Sequence, residues 1–142
     1  MQKPILPVML PIFCLLFVGP LSISARAAED AFQPVRHLAN LVYISAKDMV
    51  VHGDEGHVDE IVSYGHKMIE RAEALLEAVE ALDVKTIETK KGKLIASVKG
   101  TLEMARKAVR FGRENNLKLA LAAARKASFR AKQTRQRLQM IR

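Results

Sequence analysis

The side chains with the most distinctive chemistry are four histidines, His37, His52, His57 and His66, all set among carboxylates. His52 and His57 bracket Gly53-Asp54-Glu55-Gly56, with Asp48 one helical turn before His52 and Asp59 just after His57. A turn at those glycines between two helices would bring both imidazoles to one end of a hairpin with carboxylates beside them. Such a mixed nitrogen and oxygen donor set suits Cu(II), Ni(II) or Zn(II). His52, His57, Asp48 and Asp59 are therefore candidate ligands of a divalent metal ion. His37 precedes His52 by 15 residues, about 22 Å along a helix, and cannot share that site. His66 follows His57 by nine residues, about 13 Å, and stays open between a further ligand and an ordinary hydrogen-bonded histidine at the edge of a core stripe.

Other chemistries find no support. The lone Cys14 lies in an apolar N-terminal stretch, so the remainder can form neither a disulfide nor a cysteine-based metal site. No dinucleotide, nucleotide, serine-hydrolase or zinc-protease pattern occurs, and no general base or nucleophile is identifiable from spacing, so no enzyme is expected. Met104 offers a soft thioether to Cu(I), although Met on a helix is usually core filler.

The elements that must position these side chains read as helices. The chain has 142 residues, 5% aromatics and no Trp, which allows one modest domain and disfavours an aromatic-rich β core. Sliding it against itself by 59 places Ala46 to Glu55 over Ala105 to Glu114. Val58, Ile61, Gly65, Met68, Ala72, Leu75, Val79 and Leu82 advance by threes and fours, and the same offset carries them onto Leu117, Ala120, Ala124, Ala127, Ala131, Thr134, Leu138 and Ile141. Two segments thus share one heptad-like stripe, and neither half can bury it alone.

Each half predicts a helical hairpin. Phe32, Val35, Leu38, Val42 and Met49 supply a face for the first helix, with Asp30 as its N-cap and Pro34 in its first turns. Gly53 and Gly112 are expected to end the first and third helices at positive φ. Asp54 or Glu55 is expected to open the second helix, and Asn115 or Asn116 the fourth. The third helix is expected from about Thr86, using Leu94, Val98, Leu102, Ala105 and Val109, with Gly92 and Gly100 each weakening it by about 1 kcal/mol. The expected fold is all-α, an antiparallel up-down four-helix bundle of two duplicated hairpins, about 30–83 and 84–142.

Ahead of the bundle, Lys3, an uncharged run from Ile5 to Ile23 and the small-x-small sequence Ala25-Arg26-Ala27 follow the order of a secretory signal peptide. Residues 1–27 are expected to be removed on export to the periplasm or beyond, leaving a domain of residues 28–142; an uncleaved anchor is the alternative. Charge then divides between the halves. Residues 28–84 carry four basic and twelve acidic side chains, and residues 85–142 carry seventeen basic and three acidic ones. The acidic helix can lie beside basic ones and fix the packing. The basic C-terminal face is otherwise a surface for an acidic protein or an anionic lipid surface. A signal peptide and the lack of aromatics among the basic residues argue against nucleic acid.

The segment Val51-His52-Gly53-Asp54-Glu55-Gly56-His57-Val58-Asp59, followed by His66 in a duplicated four-helix chain behind a signal peptide, resembles the periplasmic small metal-binding protein family. The likeness runs from about Leu41 to Gln133. It implies a non-enzymatic four-helix bundle that binds divalent ions, copper above all. The second hairpin departs from the pattern. Phe111 and Asn116 stand where histidines would be wanted, and Arg125 matches His66. The resemblance therefore implies one or two metal sites on the first hairpin, or else none, with the metal function lost and the fold kept as an exported interaction module using its basic C-terminal face.

Overall fold

The computed structural model describes residues 21–82 and 88–141. These form four helices, α1 (Leu21–Asp54), α2 (Val58–Ala81), α3 (Glu88–Arg113) and α4 (Leu117–Gln139), with no strand among the described residues. Residues 1–20 of the expected signal peptide and the expected helix start at Thr86 lie outside the described residues.

The stripes account for the assembly. Along α2, Ile61, Gly65, Met68, Ala72, Leu75 and Val79 are buried, and on α4 so are Ala120, Ala124, Ala127, Ala131, Thr134 and Leu138. α1 packs on α2, α2 on α3, α3 on α4 and α4 back on α1, closing a ring around one core. The 59-residue repeat also governs the other two helices. Val35, Ala39, Val42, Ala46, Met49 and Gly53 of α1 match Leu94, Val98, Thr101, Ala105, Ala108 and Gly112 of α3, and every one is buried. Leu38, expected in the core, is only half-buried; the stripe passes through Ala39 instead. Small side chains on one face let a neighbouring backbone approach, and their burial is invisible to a search for large apolar residues.

Most polar groups in and beside the core are paired; among the described residues Arg135 Nε is buried without a hydrogen-bond partner. Arg71 of α2 donates to Ser45 Oγ at 2.6 Å and to the Leu41 carbonyl at 3.3 Å. Ser97 and Thr134 share a 2.7 Å hydrogen bond between α3 and α4. Arg36, near the middle of α1, donates to the carbonyl of Ile141 beyond α4 at 2.6 Å.

Several boundaries differ from expectation. α1 is helical from Leu21, so Asp30 lies inside the helix rather than capping it, and Pro34 is interior as well. Pro34 removes one N–H from the helix ladder, yet the continuous helix tolerates it. The Ala27–Ala28 peptide bond therefore falls within α1. Gly53 and Gly112 do not take positive φ; Gly56 (φ 87°) and Asn115 (φ 54°) do, three residues further on. The two earlier glycines serve close packing. A Cβ on Gly53 would stand 2.8 Å from Leu121 Cδ1, and one on Gly112 would stand 2.6 Å from Val62 Cγ2. α2 opens at Val58 rather than at Asp54 or Glu55, whereas α4 opens after Asn116 as expected.

Candidate metal centre

The turn that presents His52 and His57 is built by the main chain. The Gly56 N–H donates to the Gly53 carbonyl at 3.1 Å, and the His57 N–H reaches back to the His52 carbonyl at 2.9 Å. With a left-handed residue at position 56, this is the paired arrangement that commonly ends a helix. The second hairpin repeats it 59 residues later. The Asn115 N–H donates to Gly112 at 2.9 Å and the Asn116 N–H to Phe111 at 2.8 Å. Backbone geometry is thus duplicated while side-chain chemistry is not.

In the first turn, the back-bond from residue 57 to residue 52 folds two imidazoles around one carboxylate. Glu55 Oε2 lies 3.1 Å from His52 Nδ1 and 3.4 Å from His57 Nδ1. One donor atom from each of His52, Glu55 and His57 lies within 4.8 Å of the other two. Glu60, in the first turn of α2, places Oε2 3.4 Å from the remaining His52 nitrogen, Nε2. The Tyr64 ring stacks on His52 with centroids 5.0 Å apart and planes 10° from parallel, bracing that imidazole from the α2 side. The site is open to solvent: the His52, Glu55 and His57 side chains are 28%, 52% and 58% exposed.

A metal ion fits this donor set. Two ligands at about 2.1 Å from one ion lie about 3.0–3.6 Å apart at ordinary coordination angles, so side-chain rotations that draw the widest pair in by about 1 Å close the group. Two imidazoles and a carboxylate are ligands for Cu(II), Ni(II) or Zn(II), and Glu60 can accept the outer N–H of His52, the customary orienting partner of a ligating histidine. His57 adds a second indication. It occupies the N-cap of α2 yet makes no side-chain capping bond, whereas its repeat counterpart Asn116 accepts from the Leu119 N–H at 3.1 Å. A histidine at this position forgoes a cap worth about 1 kcal/mol.

The remaining candidates fall outside this group. Asp48 is half-buried on α1 and Asp59 is exposed on α2; neither joins the cluster. His66 Nε2 accepts from Arg113 Nη2 at 2.9 Å, which engages that nitrogen's lone pair. His37 is exposed on α1, and Met104 belongs to the core at 9% exposure. Glu55 and Glu60 are the carboxylates that stand where Asp48 and Asp59 were expected. The signal for Glu55 was its i+3 spacing from His52 combined with a helix end at residue 54; placing that end at Gly53 hid it. At the second turn, Phe111, Asn116, Leu119 and Ala123 occupy the positions of His52, His57, Glu60 and Tyr64, and Arg110 covers the Phe111 ring at 4.8 Å. No imidazole remains there.

Comparison with protein-family models, curated proteins and solved structures finds no match.

Proposed function

We propose that this protein is an exported, non-enzymatic binder of divalent metal ions, copper foremost with nickel and zinc as alternatives, which buffers or sequesters them at the first turn of an up-down antiparallel bundle. The observation that carries the reading is the convergence of His52, Glu55 and His57, with donor atoms within 4.8 Å of one another at a solvent-accessible turn. The missing cap at His57 and the resemblance of residues 51–59 to periplasmic small metal-binding proteins support it. The chain's contribution is positional. The main-chain bonds hold the two imidazoles about Glu55, Tyr64 limits rotation of His52, and Glu60 takes its outer nitrogen. An exposed site with solvent-completed coordination exchanges its ion readily, as a buffer requires.

Titration calorimetry in a weakly coordinating buffer tests this. The His52→Ala/His57→Ala pair is expected to weaken Cu(II) binding at least about 100-fold and Glu55→Gln by about tenfold, while His37→Ala leaves it unchanged. Protons compete for imidazole nitrogens, so affinity is expected to fall steeply as pH drops through the ordinary histidine range near 6.5. An acetylated N-terminus removes the competing site at the chain's free amine. Undiminished affinity in the double variant would refute the assignment.

A further inference from the structure

The outer crest of α4 combines charge and exposed apolar groups in a way the metal site does not use. From Leu117 to Gln139 the helix carries seven basic residues and no acidic one. At 100° per residue, Lys118, Arg125, Phe129, Lys132 and Met140 share one crest, with Lys126 on its flank. All are exposed; Phe129 and Met140 remain 63% and 70% accessible. They are 11 residues apart, about 16 Å along the axis, and so stand as two separate anchors. The opposite face of α4, Ala120, Ala124, Ala127 and Ala131, seats the helix in the bundle, so neither anchor is needed for the core.

The cations on this crest are largely uncommitted. Arg125 pairs with Asp54 at 2.6 Å, but among the described residues Lys118, Lys126 and Lys132 have no carboxylate within ion-pair distance. Glu103 on α3 does not neutralise them. It takes a 2.7 Å hydrogen bond from Lys107, and that bond and its charge hold the Glu103 carboxyl below its ordinary range.

We propose that the α4 crest docks on an anionic lipid surface, with Phe129 and Met140 entering the headgroup boundary and Lys118, Lys126 and Lys132 meeting lipid phosphates. An exposed crest with two apolar side chains flanked by long cations, Phe129 bordering an open groove with Arg125, Lys126 and Arg130, suits the plane of a bilayer, where each basic residue adds attraction and each buried apolar group adds partitioning. An acidic protein partner is less well matched. Protein interfaces concentrate their energy in anchors clustered near the centre of the contact, and here Phe129 and Met140 stand about 16 Å apart along the axis. A single exposed ring, Phe129, likewise offers no platform for successive nucleotide bases.

Co-sedimentation with vesicles tests the docking, using the protein as isolated from the cell and a chelator to keep metal out of the measurement. Vesicles of phosphatidylcholine alone read whatever the apolar N-terminal stretch contributes; vesicles with added phosphatidylglycerol read the crest. Parent protein is expected to bind the anionic vesicles at least about tenfold better and to lose that preference near 1 M salt. Each basic residue near such a surface contributes about fivefold, so Lys126→Glu/Lys132→Glu is expected to weaken binding at least about 25-fold. Phe129→Ser is expected to cost about tenfold through lost partitioning. All three positions are exposed, and unchanged helical circular dichroism verifies that the variants fold. Equal binding to both vesicle types, no binding to either, or full binding by Phe129→Ser would each overturn the proposal. Displacement by a soluble polyanion with no response to Phe129→Ser would assign the face to an acidic macromolecule instead.

Discussion

Adding one methyl group at three glycines gives opposite outcomes that the packing fixes in advance. In a helix interior, replacing Gly by Ala gains about 1 kcal/mol from backbone entropy alone. At Gly92 nothing lies within 4 Å of the new Cβ, so that gain is expected in full. At Gly112 the new carbon would sit 2.6 Å from Val62 Cγ2, about 0.9 Å short of a comfortable carbon–carbon contact. Valine is stiff about χ1, so α2 and α3 must separate, and overpacking of this kind costs about 1–3 kcal/mol. The net expectation is a loss of about 1 kcal/mol. Gly53 is intermediate. Its obstacles are Leu121 Cδ1 at 2.8 Å and Ile61 Cδ1 at 3.0 Å, outer carbons that can rotate aside, so cost and gain roughly cancel. Urea unfolding reads the series. With a slope of about 2 kcal/mol per molar, Gly92→Ala is expected to raise the midpoint by about 0.5 M, Gly112→Ala to lower it by a similar amount, and Gly53→Ala to leave it nearly unchanged. A Gly112→Ala midpoint at or above that of Gly92→Ala would refute the close-approach account of α3 against α2.

Leu75 is 1% exposed and Glu77 lies on the solvent face of the same helix. Leu75→Asp is expected to lose about 4 kcal/mol or more, enough to unfold a small domain, while Glu77→Lys stays within about 0.5 kcal/mol. Comparable losses in thermal unfolding would contradict the core register. Protein recovered from the exporting cell is expected to begin at Ala28, and an intact mass retaining residues 1–27 would refute the processing expectation.

The parts of this fold that were legible in the sequence are those where a regular three-and-four spacing recurs at the 59-residue offset, whatever the size of the side chain. The α2 stripe from Ile61 to Val79 and its α4 counterpart were readable residue by residue because period and offset agreed. The inner face of α1 was only half readable, since Ala39, Ser45 and Ala46 are small enough to occur on either side of a helix. The glycines misled for a physical reason. Gly53 and Gly112 resemble helix terminators, yet a glycine can be selected for the space it leaves as readily as for the φ it permits; among the described residues only Gly56 and Asn115 take the left-handed conformation. That three-residue displacement of the helix end also explains the mixed outcome at the candidate site. His52 and His57 were identifiable as neighbours, but Asp48 and Asp59 were paired with them on sequence spacing alone, while Glu55 was assigned to the opening of the second helix. Glu55 and Glu60 come into reach only once α1 continues to Asp54 and α2 begins at Val58.

Both hairpin turns owe their shape to matched main-chain bonds, from residue 57 to 52 and from residue 116 to 111. Bonds of that kind are indifferent to most side-chain replacements, so the surfaces they display can diverge while folding is preserved. One copy holds imidazoles and carboxylates; the other has an aromatic ring under Arg110 and an amide that caps its helix. A chain of this design carries an inherited spare: one end can stay committed to its chemistry while the other drifts among alternatives, and selection can test each new surface without first solving the fold again.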